Sequence, residues 1–175
     1  RVLDQLPRML AITSDFSQWQ MGERVVVLPA LQRMVAEQLG QLLVGHGPGE
    51  YLQDFVTFLD ISINATMLGS ADGREALQSE AYLHAQKRAY ELGRIILAEH
   101  LAEGRAEGKP DLVDDMLAES KKHPDMYGEA ALERAGWGPL LAGLDTVANT
   151  TSFLLYALLK NPEVMERVRT EVDTV

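Results

Sequence analysis

Apolar positions recur at helical spacing along most of the chain, and no segment sustains the alternation of an amphipathic strand. After an opening rich in Pro, Thr, Ser and Asp over residues 7–18, a helix is predicted from about Ser17 to Val27. Pro29 opens a second, with Leu31, Met34, Val35, Leu39, Leu42 and Leu43 along one stripe. Gly45 to Gly49 reads as a loop. Tyr51 to Leu68 is apolar around most of its circumference, the pattern of an interior helix, and Gly69 to Gly73 reads as a turn centred on Asp72-Gly73. A long charged helix is predicted from about Arg74 to Gly104, with Leu77, Tyr82, Ala85, Ala89, Leu92, Ile95, Ile96 and Leu101 facing inward. Asp111 is placed to cap a short helix ending near Ser120, and His123-Pro124-Asp125 makes a connection. From about Glu129 the pattern continues to Lys160, where Asn161-Pro162 breaks it and starts another helix. The fold class is all-α, with seven or eight helices and a long central helix ending near Lys160. No internal repeat or low-complexity segment interrupts it.

With 175 residues, 46% apolar and 24% charged, the chain has ordinary globular composition and enough length for a real core. Its 26 acidic and 16 basic residues, a net charge of −10, argue against nucleic acid or an anionic membrane as partner. The absence of cysteine removes disulfides, thiol nucleophiles and thiolate metal ligands within these residues. No apolar run approaches the roughly 20 residues of a membrane span, which with the acidic balance favours a soluble, cytoplasmic protein. The first residue is Arg1 and not Met, so a preceding segment, a targeting peptide or anchor among the options, is expected. The long charged helix mixes both signs of charge on its polar face, which suits a packed surface helix better than a membrane-lying one.

Other chemistries find little support. No hydrolase elbow, phosphate loop or dinucleotide fingerprint occurs. Four scattered histidines (His46, His84, His100, His123) lack metal-ligand spacing, so no metal site is expected. Asp111, Asp114 and Asp115 resemble the aspartate-rich magnesium motif of terpenoid synthases, but the order is wrong and helix capping accounts for Asp111.

The informative stretch runs from Ala142 to Ser152. Leu140, Leu141, Phe153, Leu154, Leu155, Leu158 and Leu159 flank it and mark a helix expected to be mostly buried. Yet Gly143, Asp145, Thr146, Val147, Asn149, Thr150, Thr151 and Ser152 are mediocre or poor helix formers. Such a conflict fits a helix opened for function, with Gly143 admitting a flat ligand and a side-chain oxygen competing for a backbone carbonyl. It fits equally a buried helix with small residues at a tight crossing. Pro139, between Gly138 and Leu140, predicts a kink or restart between Ala135 and Leu140, because an internal proline costs about 3 kcal/mol.

Ala142-Gly143-x-Asp145-Thr146, then Ala148-Asn149-Thr150, Ser152-Phe153, Leu155-Tyr156 and Lys160-Asn161-Pro162-Glu163-Val164, resembles the central helix of cytochrome P-450 monooxygenases. The continuation through Glu166, Arg167, Val168 and Glu171 is similar as well. Upstream, Thr13-Ser14-Asp15, Trp19, Arg24 and Pro29-Ala30 resemble the family's segment in which a Trp and an Arg, four positions apart, contact haem propionates. Here the spacing is five and Glu23 stands at the expected place; Arg24 keeps the distance to Pro-Ala and matches better than Trp19. The alternatives are a surface aromatic and a solvated charge.

The resemblance implies a haem cofactor, with Ala142 and Gly143 lining a dioxygen groove and Asp145 and Thr146 organising proton delivery. It implies a small apolar organic substrate and a redox partner, a ferredoxin or flavoprotein reductase. Val147 replaces a Thr or Ser often found there, trimming the polar network by one hydroxyl. Two departures stand out: the family's Cys-bearing haem loop is not within residues 1–175, and the pocket roof expected near residues 69–74 is too short. The chain therefore reads as one helical portion of an incomplete domain. A second reading is a haem-free helical remnant or binding module that has lost catalysis. A third is an unrelated all-α effector domain, which a preceding helix-turn-helix would favour.

Overall fold

The computed structural model describes residues 5–14, 19–67, 69, 71–102 and 110–174. Within them the chain is all-α, as the periodicity required, with no strand. The helices are α1 (Leu6–Ser14), α2 (Val27–Leu43), α3 (Leu52–Thr66), α4 (Ala71–Ala76), α5 (Glu80–Leu101), α6 (Leu112–Lys122), α7 (Glu129–Lys160) and α8 (Pro162–Val172). A 3-10 turn at Gly49–Tyr51 leads into α3.

Helix α7 is the spine. It packs on α2 and α5 most extensively, and also on α3, α6 and α8. Phe55, Leu92, Ile96, Leu140, Leu144, Val44 and Val113 are fully buried where these helices meet. Two close approaches let the spine lie deep. At Gly93 on α5, a Cβ would stand 2.4 Å from the Glu133 carbonyl oxygen of α7, so only glycine allows that crossing. Beside it Trp137 meets Phe58 and Tyr90 edge-on, with ring centroids 5.9 and 5.4 Å apart. On the outer side, Arg88 of α5 reaches Glu50 and Asp54 at 2.7 and 3.3 Å and lies over the Tyr51 ring, tying α5 to the start of α3.

Several local expectations are met. Asp111 caps α6 by accepting from the backbone N–H groups of Val113 and Asp114, and Asp114 returns the bond to the Asp111 N–H. Helix α7 starts and stops where the pattern placed it, and Pro162 opens α8.

Others need correction. The opening expected over residues 7–18 contains α1, because Pro7 falls in a first turn, where its missing N–H is no loss. Gln38 of α2 donates to Thr13 Oγ1 at 2.9 Å and docks that helix. The helix expected from Ser17 to Val27 is not formed over residues 19–26: Gly22 takes φ +88° in a turn, and residues 15–18 lie outside the described residues. Asp72-Gly73 lies inside α4 rather than at a turn. The helix expected from Arg74 to Gly104 is two, α4 and α5. Ser79 breaks it by accepting the Tyr82 N–H at 3.2 Å as an N-cap; residues 103–109 lie outside the described residues. Helix α3 is less enclosed than its composition suggested, with Phe55 and Ala65 its buried residues.

The restart expected near Pro139 does not occur: α7 carries the proline without interruption. Gly138 has no Cβ to meet the proline ring, and buried Trp137, Leu140 and Leu141 anchor the helix on both sides of it. The flank after the motif is not buried as expected. The buried residues of α7 all fall between Ala135 and Ala148, while Phe153, Leu154 and Leu159 are exposed. The packing of α2, α3, α5 and α6 serves the first half of the helix.

Candidate functional site

Helical geometry distributes the motif over different faces of α7. Leu144 and Ala148 point into the core and are fully buried. Gly143 faces α2, where a Cβ would come within 2.4 Å of Leu39 Cδ1 and 2.5 Å of Val35 Cγ1. The lack of a side chain there is used for a tight crossing. Ala142 and Thr146, one turn apart, are exposed on another face, and Asp145 is half-buried beside them.

The polar residues hold themselves within the helix. Thr146 Oγ1 donates to the Ala142 carbonyl at 2.7 Å, and Ser152 Oγ to the Ala148 carbonyl at 2.8 Å. Asn149 Nδ2 donates to Asp145 Oδ1 at 2.7 Å, one turn back. These bonds explain how a run of poor helix formers stays helical, and the opened helix suggested by the local conflict is not formed. They also define chemistry. The Thr146 hydroxyl proton is committed to a carbonyl, so its oxygen is left as an acceptor towards the open face. The Asp145 carboxylate is held on one oxygen by an amide that cannot itself give up a proton.

A group not singled out from the sequence joins this set. Asp60 lies on α3, which packs against α7. Its surface is open to solvent, yet partial desolvation of the carboxyl, followed by the charge of Asp145, pushes it above the ordinary aspartate range. No periodicity signal marks this pairing, since the two residues lie far apart in sequence.

Trp19 and Arg24 lie apart from the motif, in the non-helical segment that feeds α2, and both are exposed. The structure thus brings together Ala142, Asp145 and Thr146, turns Gly143 towards α2, and leaves Trp19 and Arg24 in the separate non-helical segment before α2. A second polar cluster, His100, Asp111 and Asp114, brings possible ligand atoms within 4.8 Å. Its geometry is that of a tie between α5 and α6. His100 Nε2 meets Asp111 Oδ2 at 2.8 Å, His100 Nδ1 meets the Ile96 carbonyl, and Asp111 Oδ1 caps α6.

Comparison with known proteins agrees with the motif. The family model described as Cytochrome P-450 matches residues 20–175. Isoflavone 3'-hydroxylase of Medicago truncatula is 28% identical over 142 residues, covering 81% of this chain and 25% of that protein. The (+)-piperitol/(+)-sesamin synthase CYP81Q2 of Sesamum radiatum is 26% identical over 192 aligned positions, covering 99% of this chain and 36% of its own. Cytochrome P-450 monooxygenase olcB of Penicillium canescens is 31% identical over 100 residues, or 57% of this chain and 20% of the relative. The chain thus spans between 20% and 36% of the length of these curated relatives. No described helix is long and apolar enough to cross a membrane.

Proposed function

The chain belongs to the cytochrome P-450 family, and from that premise we propose that it is the oxygen-activating helical portion of a haem-dependent monooxygenase. In this reading the whole protein takes dioxygen and a small apolar organic substrate and draws electrons from a redox partner, a ferredoxin or flavoprotein reductase. The observation that carries it is the exposed face of α7, where Ala142 and Thr146 stand one turn apart beside the amide-held Asp145.

That face suits one wall of a haem pocket: a methyl group at Ala142 leaves room for a flat ring and a diatomic ligand, and polar atoms follow directly. A bound haem would supply the activation of dioxygen and the oxidation of an unactivated C–H bond. These 175 residues contain no cysteine, so an axial thiolate has to come from other residues.

The chain's own groups have distinct tasks. Gly143 lets α7 sit close to α2 and so sets how deep the Ala142 face lies. Thr146, with its proton on the Ala142 carbonyl, offers an oxygen that accepts a hydrogen bond and orders a proton donor at the open face. Asp145 carries protons towards that face. Arg24, in the same non-helical segment as Trp19, offers an exposed cation for the carboxylates of the haem.

The reduced, carbon-monoxide-bound difference spectrum of the full-length protein tests the reading. A long-wavelength band of thiolate-ligated haem supports it, and an absent haem signal favours the remnant that has lost catalysis. In the loaded enzyme, Thr146→Ala is expected to consume reducing equivalents without matching product. Full coupling in that variant would remove Thr146 from proton delivery.

A further inference from the structure

The junction of α5 and α6 holds a polar group that the reading of α7 does not use. His100, in the last turn of α5, has a side chain only 3% exposed. Its Nδ1 lies 2.7 Å from the Ile96 carbonyl oxygen, and its Nε2 lies 2.8 Å from Asp111 Oδ2. The Asp111 side chain is itself 11% exposed. A backbone carbonyl only accepts, so Nδ1 carries the ring N–H. In the neutral ring that leaves a lone pair on Nε2, aimed at a carboxylate oxygen. Two acceptors this close repel each other unless a cation lies between or beside them. An Nδ1–H held by a carbonyl outside the cluster, with Nε2 presented, is also how a metal-ligating histidine is oriented.

Asp114 joins the pair: one ligand atom from each of His100, Asp111 and Asp114 falls within 4.8 Å of the others. The α6 cap is made by Asp111 Oδ1 and Asp114 Oδ2, so the Asp111 oxygen that faces His100 is not the one that holds the helix. The start of α6 works against a cation through the helix dipole, and Asp111, Asp114 and Asp115 outweigh that partial charge. Gly45, at φ +69°, brings the loop after α2 against the same oxygen, where a Cβ would stand 3.4 Å from Asp111 Oδ2.

We propose that His100, Asp111 and Asp114 form a structural site for a six-coordinate first-row divalent cation such as Mn2+, with water completing the shell. A nitrogen and an oxygen 2.8 Å apart, each about 2.0–2.2 Å from a metal, subtend roughly 80–90° there. That is the angle between neighbouring octahedral ligands; the tetrahedron of structural zinc needs them about 3.4 Å apart. One imidazole with two carboxylates suits such an ion better than Mg2+ or Ca2+, which take oxygen ligands. Bound there, the cation fastens the end of α5 to the start of α6 and stabilises the folded chain by linkage. The site stands on side-chain geometry and does not depend on the monooxygenase reading.

Titration of the full-length protein with Mn2+, followed by electron paramagnetic resonance, tests the site. Wild type is expected to take up one equivalent of Mn2+, with spin-echo modulation from an imidazole nitrogen on the bound ion and a melting temperature that rises with Mn2+. His100→Gln should abolish the nitrogen modulation and weaken binding at least about tenfold. Asp114→Asn keeps an oxygen for the Asp111 N–H, so the fold should be unchanged by circular dichroism while binding again weakens at least about tenfold. Excess Mg2+ should leave the bound signal in place. No stoichiometric uptake of Mn2+ would overturn the proposal and make a proton the cation between His100 and Asp111. Bound Mn2+ that shows no nitrogen modulation, or that Mg2+ displaces, would overturn it as well, reducing the site to a set of carboxylates.

Discussion

Replacing Gly143 by alanine places a methyl group 2.5 Å from Val35 Cγ1 and 2.4 Å from Leu39 Cδ1, inside van der Waals contact. The Leu39 methyl is the end of a flexible side chain and can swing. Val35 is β-branched and 5% exposed, so its rotamer has little freedom to yield. Overpacking of this kind costs about 1–3 kcal/mol. Alanine recovers about 1 kcal/mol as the better helix former. The net expectation is a loss of about 0–2 kcal/mol, the difference between those two terms. A small net value does not by itself identify the crossing, but a double-mutant cycle does. Val35→Ala alone opens a gap in the α2–α7 contact, and the Gly143→Ala methyl fills part of it. The double variant should therefore lose less than the sum of the singles, with an interaction of about 0.5–3 kcal/mol. Urea unfolding of the four proteins, followed by far-UV circular dichroism, measures it. Strict additivity, or a Gly143→Ala protein stabilised by the full helix-propensity gain, would refute the placement of this glycine against α2. It would then return Gly143 to the role of making room for a ligand.

Asp111→Ala should lower stability by at least the roughly 0.5–2 kcal/mol of the α6 cap, because the tie to His100 is lost with it. Asp111→Asn, which still accepts from the backbone, should recover most of the loss; equal thermal melts for alanine and wild type would show that the cap contributes nothing. Asp60 predicts a pH-dependent effect. Its carboxyl holds a proton more firmly folded than unfolded, through desolvation and the Asp145 charge. The folded state therefore binds more protons between the two values. The stabilisation is complete below the ordinary aspartate range and is lost as pH rises through the raised folded value. Asp60→Asn should accordingly gain in melting temperature relative to wild type as pH rises, with the gap closing on acidification. A gap that widens towards acid would reverse the assignment.

Much of the candidate site was legible in the sequence, because its residues lie within three turns of one helix. The motif from Ala142 to Thr146 and the boundary at Asn161-Pro162 could be read directly, and α7 has the expected ends. The clamp of Asn149 on Asp145 is a contact between successive turns, which helical spacing allows once looked for. The split at Ser79 also had a local signal, a hydroxyl residue followed by an acidic first turn, hidden because Leu77 and Tyr82 both fit the apolar stripe. The Asp60 partner and the His100–Asp111 tie had no such signal.

The sequence by itself determined what is settled within a turn or two of backbone: the all-α class, the caps at Asp111 and Pro162, and the extent of the central helix. These depend on hydrogen-bonding groups and dihedral preferences that a residue shares with its immediate neighbours. The tertiary structure decided which way each face points. It turned Gly143 to α2, carried Pro139 through a continuous helix, and left Phe153 and Leu159 exposed. It also brought the charge of Asp145 to bear on Asp60. Periodicity names a face but not what lies opposite it. That is chosen by the packing of helices far apart in sequence, where contact distances and local dielectric set both the space for a side chain and the charge it keeps.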